Sequence, residues 1–395
     1  MHILLLREGF YPKLGGGSIE QWNVAKSLVA RGHEVTVFAP QREGAPRYER
    51  VEGVEIHRPY RAAEHLEGGP TSALGFLGRL AYAVLVCVAL VRWLRTTDVD
   101  VVVSASHLTH PAAKFLSVRY GLPVVTYMAY TPTMDPKKRT VTNPSYLLEQ
   151  VNFRLFLGDR VRCRTPDVKA AVERHTDAPV ALIHGILDER DLRAAVESVD
   201  AQAVRARYGV GDDEYLLLFV GRFISVKNPT KAVGTIARLP DRFKLVMLGD
   251  GPLRESVAIQ RESKQLAGRV TIAGEVAHEE VIALMLAADG LLVTSRTEAY
   301  PTVVFEALAL GAEVFATPVG VLPELTQPRL HLAAANDLAT TIATAAGRGR
   351  HAVDDATLAA YSMDRYVDHL LADCASLVAV EQPTPPARPD LSTNL

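Results

Sequence analysis

The run HILLL, residues 2 to 6, shows no alternation of polar and apolar positions, so it belongs to a strand covered on both faces, as in a parallel sheet flanked by helices. The device recurs along the chain. YLLLFV runs into Gly221, FKLVML into Gly249 and VTIA into Gly274, and each passes through a short loop into a helical stretch. Strand, loop and helix in repetition restrict the chain to an α/β fold with parallel sheets, because a crossover helix is what returns the next parallel strand to its sheet. With 395 residues, 48% of them hydrophobic, there is enough apolar material for two such domains with complete cores.

Composition removes several classes of function. A formal net charge of -2, with no basic tail and no arginine-aromatic run, excludes nucleic acid as a partner. Cys87, Cys163 and Cys374 are too scattered for a zinc set or a disulfide framework, which fits a reducing cytoplasm. Met1 leads straight into the first strand without a signal-peptide pattern, so a cytoplasmic protein is expected. Asp98 and Asp100 spell the DxD of many metal-dependent transferases, but they precede the strand at Val101 to Ser104, opposite the end where parallel sheets bind ligands. They are read as structural, and no metal is expected.

Chemistry concentrates in SRTEAYPTVVFEALALGAEVFATPVGVLPEL, residues 295 to 325. A strand end precedes a loop holding Glu298, and Pro301 opens a helix at a position where its missing N–H costs nothing. Glu306 lies a turn and a half inside. Both carboxylates can face a ligand at the helix mouth, where free N–H groups and the positive dipole end favour an anion. A nucleotide sugar, with phosphates in the middle and hydroxyls at both ends, suits that arrangement. Arg222 and Lys227, just past the strand that ends at Gly221, are placed to hold its diphosphate, one as a planar fork and the other as a compact charge. Near the N-terminus, Gly15 to Gly17 precede a helix that Ser18 caps and Gly32 ends, and glycines there let the backbone approach a phosphate or sugar. A dinucleotide fingerprint is excluded, since Glu20 stands where its last glycine belongs.

Glu298 and Glu306 in this setting resemble the E-x7-E motif of the retaining glycosyltransferases of family 4, which have the GT-B fold. VGRFISVKNP, LGDGPLRE and VTIAGEV with HEEVIALMLAADGLLVTS stand around them in family order. The resemblance covers residues 215 to 325 closely, residues 1 to 40 and the C-terminal helix fairly, and residues 55 to 190 thinly. It implies an α/β protein of two Rossmann-like domains with parallel sheets facing an interdomain cleft. Residues 1–188 would form the acceptor side, joined by a last helix at 360–380, and 189–359 would bind the nucleotide sugar. A polar, alanine-rich stretch over 188–214 connects them, and the proline-rich tail, 381–395, is expected to be disordered.

The implied reaction moves a hexose from a UDP- or GDP-sugar to a lipid-linked, glycan or small-molecule acceptor with retention, with no cofactor beyond that co-substrate. Glu298, Arg222 and Lys227 would be catalytic, and Glu306 would hold the ribose. Gly16, Gly17, Gly249 and Gly251 would adjoin the donor, as would Glu275, Val276, Ala299, Tyr300 and the helix mouth at Pro301, Thr302 and Val303. His107, His110 and Met128 would lie on the acceptor side. The chain departs from its relatives where Met128 and Ala129 replace a histidine often followed by aspartate, where His184 replaces asparagine, where Ala299-Tyr300 replaces Gly-Phe, and where Glu313 replaces proline. Met128 can neither ionise nor donate a strong hydrogen bond, which implies a different sugar or acceptor. Two rivals stand beside this reading: a nucleotide-sugar epimerase of the same fold, which needs no acceptor, and a non-catalytic nucleotide-sugar-binding protein; a protein free of donor binding has no physical reason to keep Glu298, Glu306, Arg222 and Lys227 together.

One further stretch stands apart. Residues 80 to 91 are apolar without a break, bracketed by Arg79 and Arg92 with Phe76 and Trp93 near the ends. The run is too short for a bilayer, which takes ~20 apolar residues, and too apolar all round for an ordinary surface helix. Over 76–93 two readings stay open: a helix packed against the sheet or a partner subunit, and a helix lying on the inner face of a membrane.

Overall fold

The computed structural model describes residues 1–11, 16–42, 44–61, 73–128, 139–140, 142–183, 187–346 and 351–379. It divides into two compact units, Met1–His184 with Met363–Leu395, and Gly185–Ser362. Ala129, His184 and the tail past 379 lie outside the described residues.

The first unit runs β1 (His2–Leu6), α1 (Gly16–Ala30), β2 (Glu34–Phe38), β3 (Tyr48–Val51), β4 (Val54–His57), α2 (Ala73–Trp93), β5 (Val101–Ser104), α3 (His110–Tyr120), β6 (Val124–Met128), α4 (Pro144–Leu155), β7 (Arg160–Cys163), α5 (Pro166–Glu173) and β8 (Val180–Leu182). Its sheet has the order β3-β4-β2-β1-β5-β6-β7-β8 and is parallel except for the β3–β4 hairpin. That hairpin escapes the sequence reading because it turns on two residues only, Glu52 and Gly53, both at positive φ as a two-residue β-turn of this hand demands. On one face, Leu4, Leu6, Val102 and Val124 pack with Leu90, Ala112 and Leu116 from α2 and α3. Val86 and Leu90 turn to this core while Val84, Leu85 and Val88 stand exposed, so the uniformly apolar stretch has a buried and an open side. Asp100, as expected of a structural aspartate, accepts the His2 N–H at 2.7 Å and ties the start of β5 to β1.

Helix α1 starts at Gly16, two residues before the expected Ser18 cap, which puts Gly16 and Gly17 in its first turn rather than in the loop. Its end is as expected. Gly32 takes φ +82, and the Gly32 and His33 N–H groups return to Val29 and Leu28, the paired bonds of a left-handed helix stop.

The second unit comprises α6 (Glu189–Ser198), α7 (Ala201–Arg207), β9 (Tyr215–Val220), α8 (Pro229–Ile236), β10 (Phe243–Leu248), α9 (Arg254–Ser263), β11 (Val270–Gly274), α10 (His278–Ala287), β12 (Gly290–Val293), α11 (Thr302–Ala309), β13 (Glu313–Ala316), β14 (Leu330–Leu332), α12 (Leu338–Ala345) and α13 (Asp355–Ala360); α14 (Met363–Val378) belongs to the first unit. All six strands are parallel, in the order β11-β10-β9-β12-β13-β14. The stretch taken as a connection, 188–214, carries the helices α6 and α7, which pack into this unit's core. Asp188 and Asp200 cap α6 and α7 by accepting backbone N–H groups, and Leu192 and Val204 are buried in the same cluster as Leu284 and Leu291. Alanines and one large apolar residue per turn suffice where the facing helix supplies the bulk.

Arg205 fastens α7 in place. It donates to the Ala287 and Gly211 carbonyls at 3.0 and 3.1 Å and to the Glu214 carbonyl, and it pairs with Asp289 at 3.0 Å. Arg205→Ala leaves that carboxylate with the Leu216 N–H but no cation, and strands several carbonyl acceptors, so it is expected to lower the unfolding free energy by about 2–4 kcal/mol. Urea unfolding of the full chain checks this; a midpoint equal to wild type would show that α7 is held by its apolar face alone.

Candidate active site

The strand order of the second unit reverses between β9 and β12, and in an open parallel sheet the crevice beyond the carboxyl ends at such a reversal is where ligands bind. Lys227 comes from the loop after β9 and Glu298 from the loop after β12. The structure brings them together: Lys227 Nζ donates to Glu298 Oε1 at 2.6 Å, and the Ser295 hydroxyl donates to the same oxygen at 2.6 Å. The two loops are stitched by backbone. Thr294 Oγ1 donates to the Asn228 carbonyl at 2.9 Å and the Arg296 N–H to the Val226 carbonyl at 2.8 Å. Arg222, in the loop with Lys227, is exposed and has no ion-pair partner among the described residues.

Behind Glu298 the chain enters α11. Pro301 occupies the cap rather than the first helical position, in extended conformation, and Thr302 is first in the helix. The Glu298 and Ala299 carbonyls lie against Gly320 so closely that a Cβ there would come within 2.7 and 2.5 Å of them, and Gly320 has φ +57 besides. Tyr300 stacks on Phe305 at 4.4 Å, which fixes the ring against the helix it precedes. Thr302 and Val303 are partly exposed at the mouth, where the first N–H groups of any helix have no partner within it.

Glu306 sits deep among protein atoms while keeping a narrow opening to solvent, and no hydrogen bond or ion pair reaches its carboxylate among the described residues. Burial pushes its carboxyl above the ordinary range, and the nearby His278, first residue of α10, opposes the shift. Ionised, Glu306 is an acceptor held ready.

The glycines after β10 serve the fold as well as any ligand. Gly249, φ +128, lies against the Gly221 carbonyl, and a Cβ on Gly251, φ +149, would come within 2.8 Å of the Phe223 carbonyl, so the two loops pack at a closeness only glycine permits. Asp250 does turn work: its carboxylate accepts the Gly251 N–H at 2.6 Å and Arg254 at 2.9 Å. Glu275 is exposed and Val276 half-buried just past β11, at the same edge.

In the first unit the expected acceptor-side residues differ in exposure. His107 is partly exposed, but His110 is 1% exposed, with Nδ1 at 2.8 Å from the Ser104 hydroxyl. Burial pushes the His110 imidazole well below its usual range, and the His107 ring beside it acts the same way, so it stays neutral. Met128 is buried with Phe153 and Val161. Neither His110 nor Met128 offers a surface to an acceptor, which corrects that expectation: the side chains that open α3 and end β6 both turn inward. What the sequence reading missed lies beside them. The Tyr127 hydroxyl donates to Glu20 Oε1 at 2.7 Å, Arg164 Nε donates to the Tyr127 oxygen at 2.6 Å, and Arg164 also pairs with Glu20. One signal was present, the two arginines of the strand VRCRT, Arg162 and Arg164, each of which must find an acid once buried. Glu313, the departure from proline, is 2% exposed between His331 at 2.5 Å and His351 at 2.9 Å, at the amino end of β13 and remote from these loops.

Comparison with known proteins accords with this geometry. The family described as Glycosyl transferases group 1 matches residues 200–341, and the Glycosyl transferase 4-like domain matches residues 15–186. A protein of Bacillus subtilis (strain 168) named as a teichuronic acid biosynthesis glycosyltransferase, TuaC, is 33% identical over 150 residues, which is 38% of this chain and 36% of that protein. The D-inositol 3-phosphate glycosyltransferase of Geodermatophilus obscurus is 27% identical over 91% of this chain and 84% of its own. Among solved structures, an alpha,alpha-trehalose-phosphate synthase (UDP-forming) from Burkholderia vietnamiensis superposes with a TM-score of 0.75 at 16% identity, covering 95% of this chain and 99% of that one, a likeness of fold. The chain belongs to the group 1 glycosyltransferases and has the GT-B fold.

The raised Glu306 pKa has a measurable sign. The native state holds this proton more tightly than the unfolded chain, so stability from this group falls as pH rises from the ordinary carboxylate range through the raised native value. Glu306→Gln is therefore expected to be more stable than wild type at pH 8 and to lose that advantage near pH 4. Thermal melts across this range, without added nucleotide, test it; a constant difference would mean that Glu306 does not titrate with folding.

Proposed function

We propose that this glycosyltransferase moves a hexose from a UDP- or GDP-sugar to an acceptor with retention of configuration. The observation that carries the reading is the Glu298 carboxylate, fixed by Lys227 and Ser295 at the reversal of the second sheet, in the loop that leads into α11 and its Glu306. The donor diphosphate lies against Arg222, Lys227 and the N–H groups at the start of α11. As the bond from sugar to phosphate breaks, negative charge grows on the leaving nucleoside diphosphate, and these preorganised positive groups stabilise it most where it is largest. Nothing in that scheme requires a metal.

A phosphate drawn to Lys227 competes with Glu298 for its ammonium. The freed carboxylate oxygen then turns to a hydroxyl of the transferred sugar, whose ring gains positive character as the bond breaks, while Glu306 accepts from the ribose, which does not change. By the family resemblance the departing phosphate takes the acceptor's proton on the same face. The acceptor is a lipid-linked, glycan or small molecule; the Geodermatophilus relative is named for an inositol phosphate. A cytoplasmic enzyme resting on the inner face of a membrane through residues 76–93 completes the proposal.

Removal of uniform binding at Glu306 and of transition-state binding at Glu298 have different signatures. Glu306→Gln should bind the bare nucleoside diphosphate more weakly by about 1.5–3 kcal/mol, the worth of a charge-assisted hydrogen bond, while Glu298→Gln binds it normally but turns over slowly. Calorimetric titration of both variants with UDP and GDP decides this, and equal affinities in both variants and wild type would remove the ribose assignment. Turnover is expected to survive EDTA; complete loss restored by a divalent cation would overturn the metal-free scheme.

A further inference from the structure

Of the exposed large apolar side chains among the described residues, Tyr48, Val196, Val226, Ile259 and Val378 stand singly, and the rest gather on three helices. On α2, Val84, Leu85 and Val88 stand out of the surface, Val84 at 64%. On α3 the same is true of Phe115 and of Val118, at 77%. On α4, Leu147, Val151 and Leu155 are all exposed and recur every four residues, which makes one stripe along the helix. These helices connect β4 to β5, β5 to β6 and β6 to β7, steps that proceed in one direction along the sheet, so right-handed crossovers lay all three side by side on one face. The inner sides of α2 and α3 share one core, which Leu148 of α4 joins, while Phe153 of α4 packs into the neighbouring cluster with Met128 and Val161. The outer sides therefore form a continuous apolar face wider than any single helix.

Charge says what that face meets. Helices α2 and α3 contain no acidic residue, and the one in α4, Glu149, is fully buried. The cations stand at the margin: Arg92, Arg119 and Arg154 occupy the last turns of the three helices, with Arg95 just beyond α2 and Lys114 on α3. None is ion-paired to an acid among the described residues. A helix C-terminus by itself favours a cation, but that does not explain eight exposed large hydrophobics between them. The chain as a whole has a formal charge of -2, so this face runs against the trend of the molecule. A second copy of the chain is a poor occupant, since an isologous contact sets the same cations against each other. None of the described helices is long and apolar enough to cross a membrane.

We propose that the outer face of α2, α3 and α4 together docks on the surface of an anionic lipid bilayer, with the apolar stripes at the level of the headgroups and acyl-chain boundary and the arginines among the phosphates. The inference rests on the membrane reading of residues 76–93 and extends it from one helix to three, with α4 furthest from that segment as the new element.

The test is co-sedimentation of the full chain with vesicles of phosphatidylcholine alone and of phosphatidylcholine with roughly one-third phosphatidylglycerol, a charge density at which each basic side chain adds appreciably to binding. Wild type is expected to sediment with the anionic vesicles and not with the neutral ones. Val151→Glu with Leu155→Glu, on α4, should reduce the bound fraction at least fivefold, as should Val84→Glu with Val88→Glu on α2, while nucleotide titration and melting temperature confirm that the second unit and the fold are intact. Arg154→Glu with Lys114→Glu, which removes no apolar area, is a second route to the same loss. If the α2 pair abolishes sedimentation and both the α4 pair and the charge pair leave it unchanged, the one-helix reading stands and the three-helix face is wrong. If wild type fails to sediment with anionic vesicles, both are wrong. A concentration-dependent dimer in sedimentation equilibrium that the α4 pair dissociates would assign the face to a second copy instead.

Discussion

The contact on which the rest of the second unit depends is the pairing of Lys227 with Glu298 across the reversal of strand order. A partly buried carboxylate needs a cation close by, and its loops must be held well enough to keep it there. The sheet supplies this by making β9 and β12 neighbours in parallel register, so the loops that leave them start side by side. The hydroxyl of Thr294 and the amide of Arg296 then fasten one loop to the other through carbonyls of the Lys227 segment. With both ends fixed, Lys227 is positioned to be shared. A phosphate that attracts it must displace a bond already made, which makes donor binding and the orientation of Glu298 parts of one equilibrium.

The strands were legible because burial on both faces leaves a strong mark: HILLL, YLLLFV and FKLVML are strands with the bounds their apolar runs imply. Glycines in the left-handed region were legible for the same kind of reason, since Gly32 and Gly249 do what no other residue does at no cost. Less visible was anything that depends on where a side chain points. Met128 ends a strand and His110 opens a helix, positions where a residue can turn in or out, and both turn in. The α6 and α7 helices looked like a connection because their apolar content is low, and only the facing surface of α10 explains why so little suffices. Glu20, Tyr127 and Arg164 come from three distant parts of the chain, and no spacing rule predicts that they meet.

Glu313 and Glu306 separate two meanings of a buried acid. They lie at opposite ends of neighbouring elements, Glu313 opening β13 and Glu306 inside α11, and in the sequence both look like acids in apolar surroundings. Glu313 is flanked by His331 and His351, each donating or sharing a proton with one of its oxygens, and Phe315 stacks on the His331 ring and holds it in place. Its charge is provided for inside the fold, so substitution of proline by glutamate at this point brought its own partners and says nothing of chemistry. Glu306 has no such partners among the described residues, only His278 nearby, and its carboxylate keeps an opening to solvent. A carboxylate that faces an opening, with no partner among the described residues, is free to accept from a ligand, whereas one whose partners are built into the fold is not. Of the two, Glu306 is therefore the one available to a ligand.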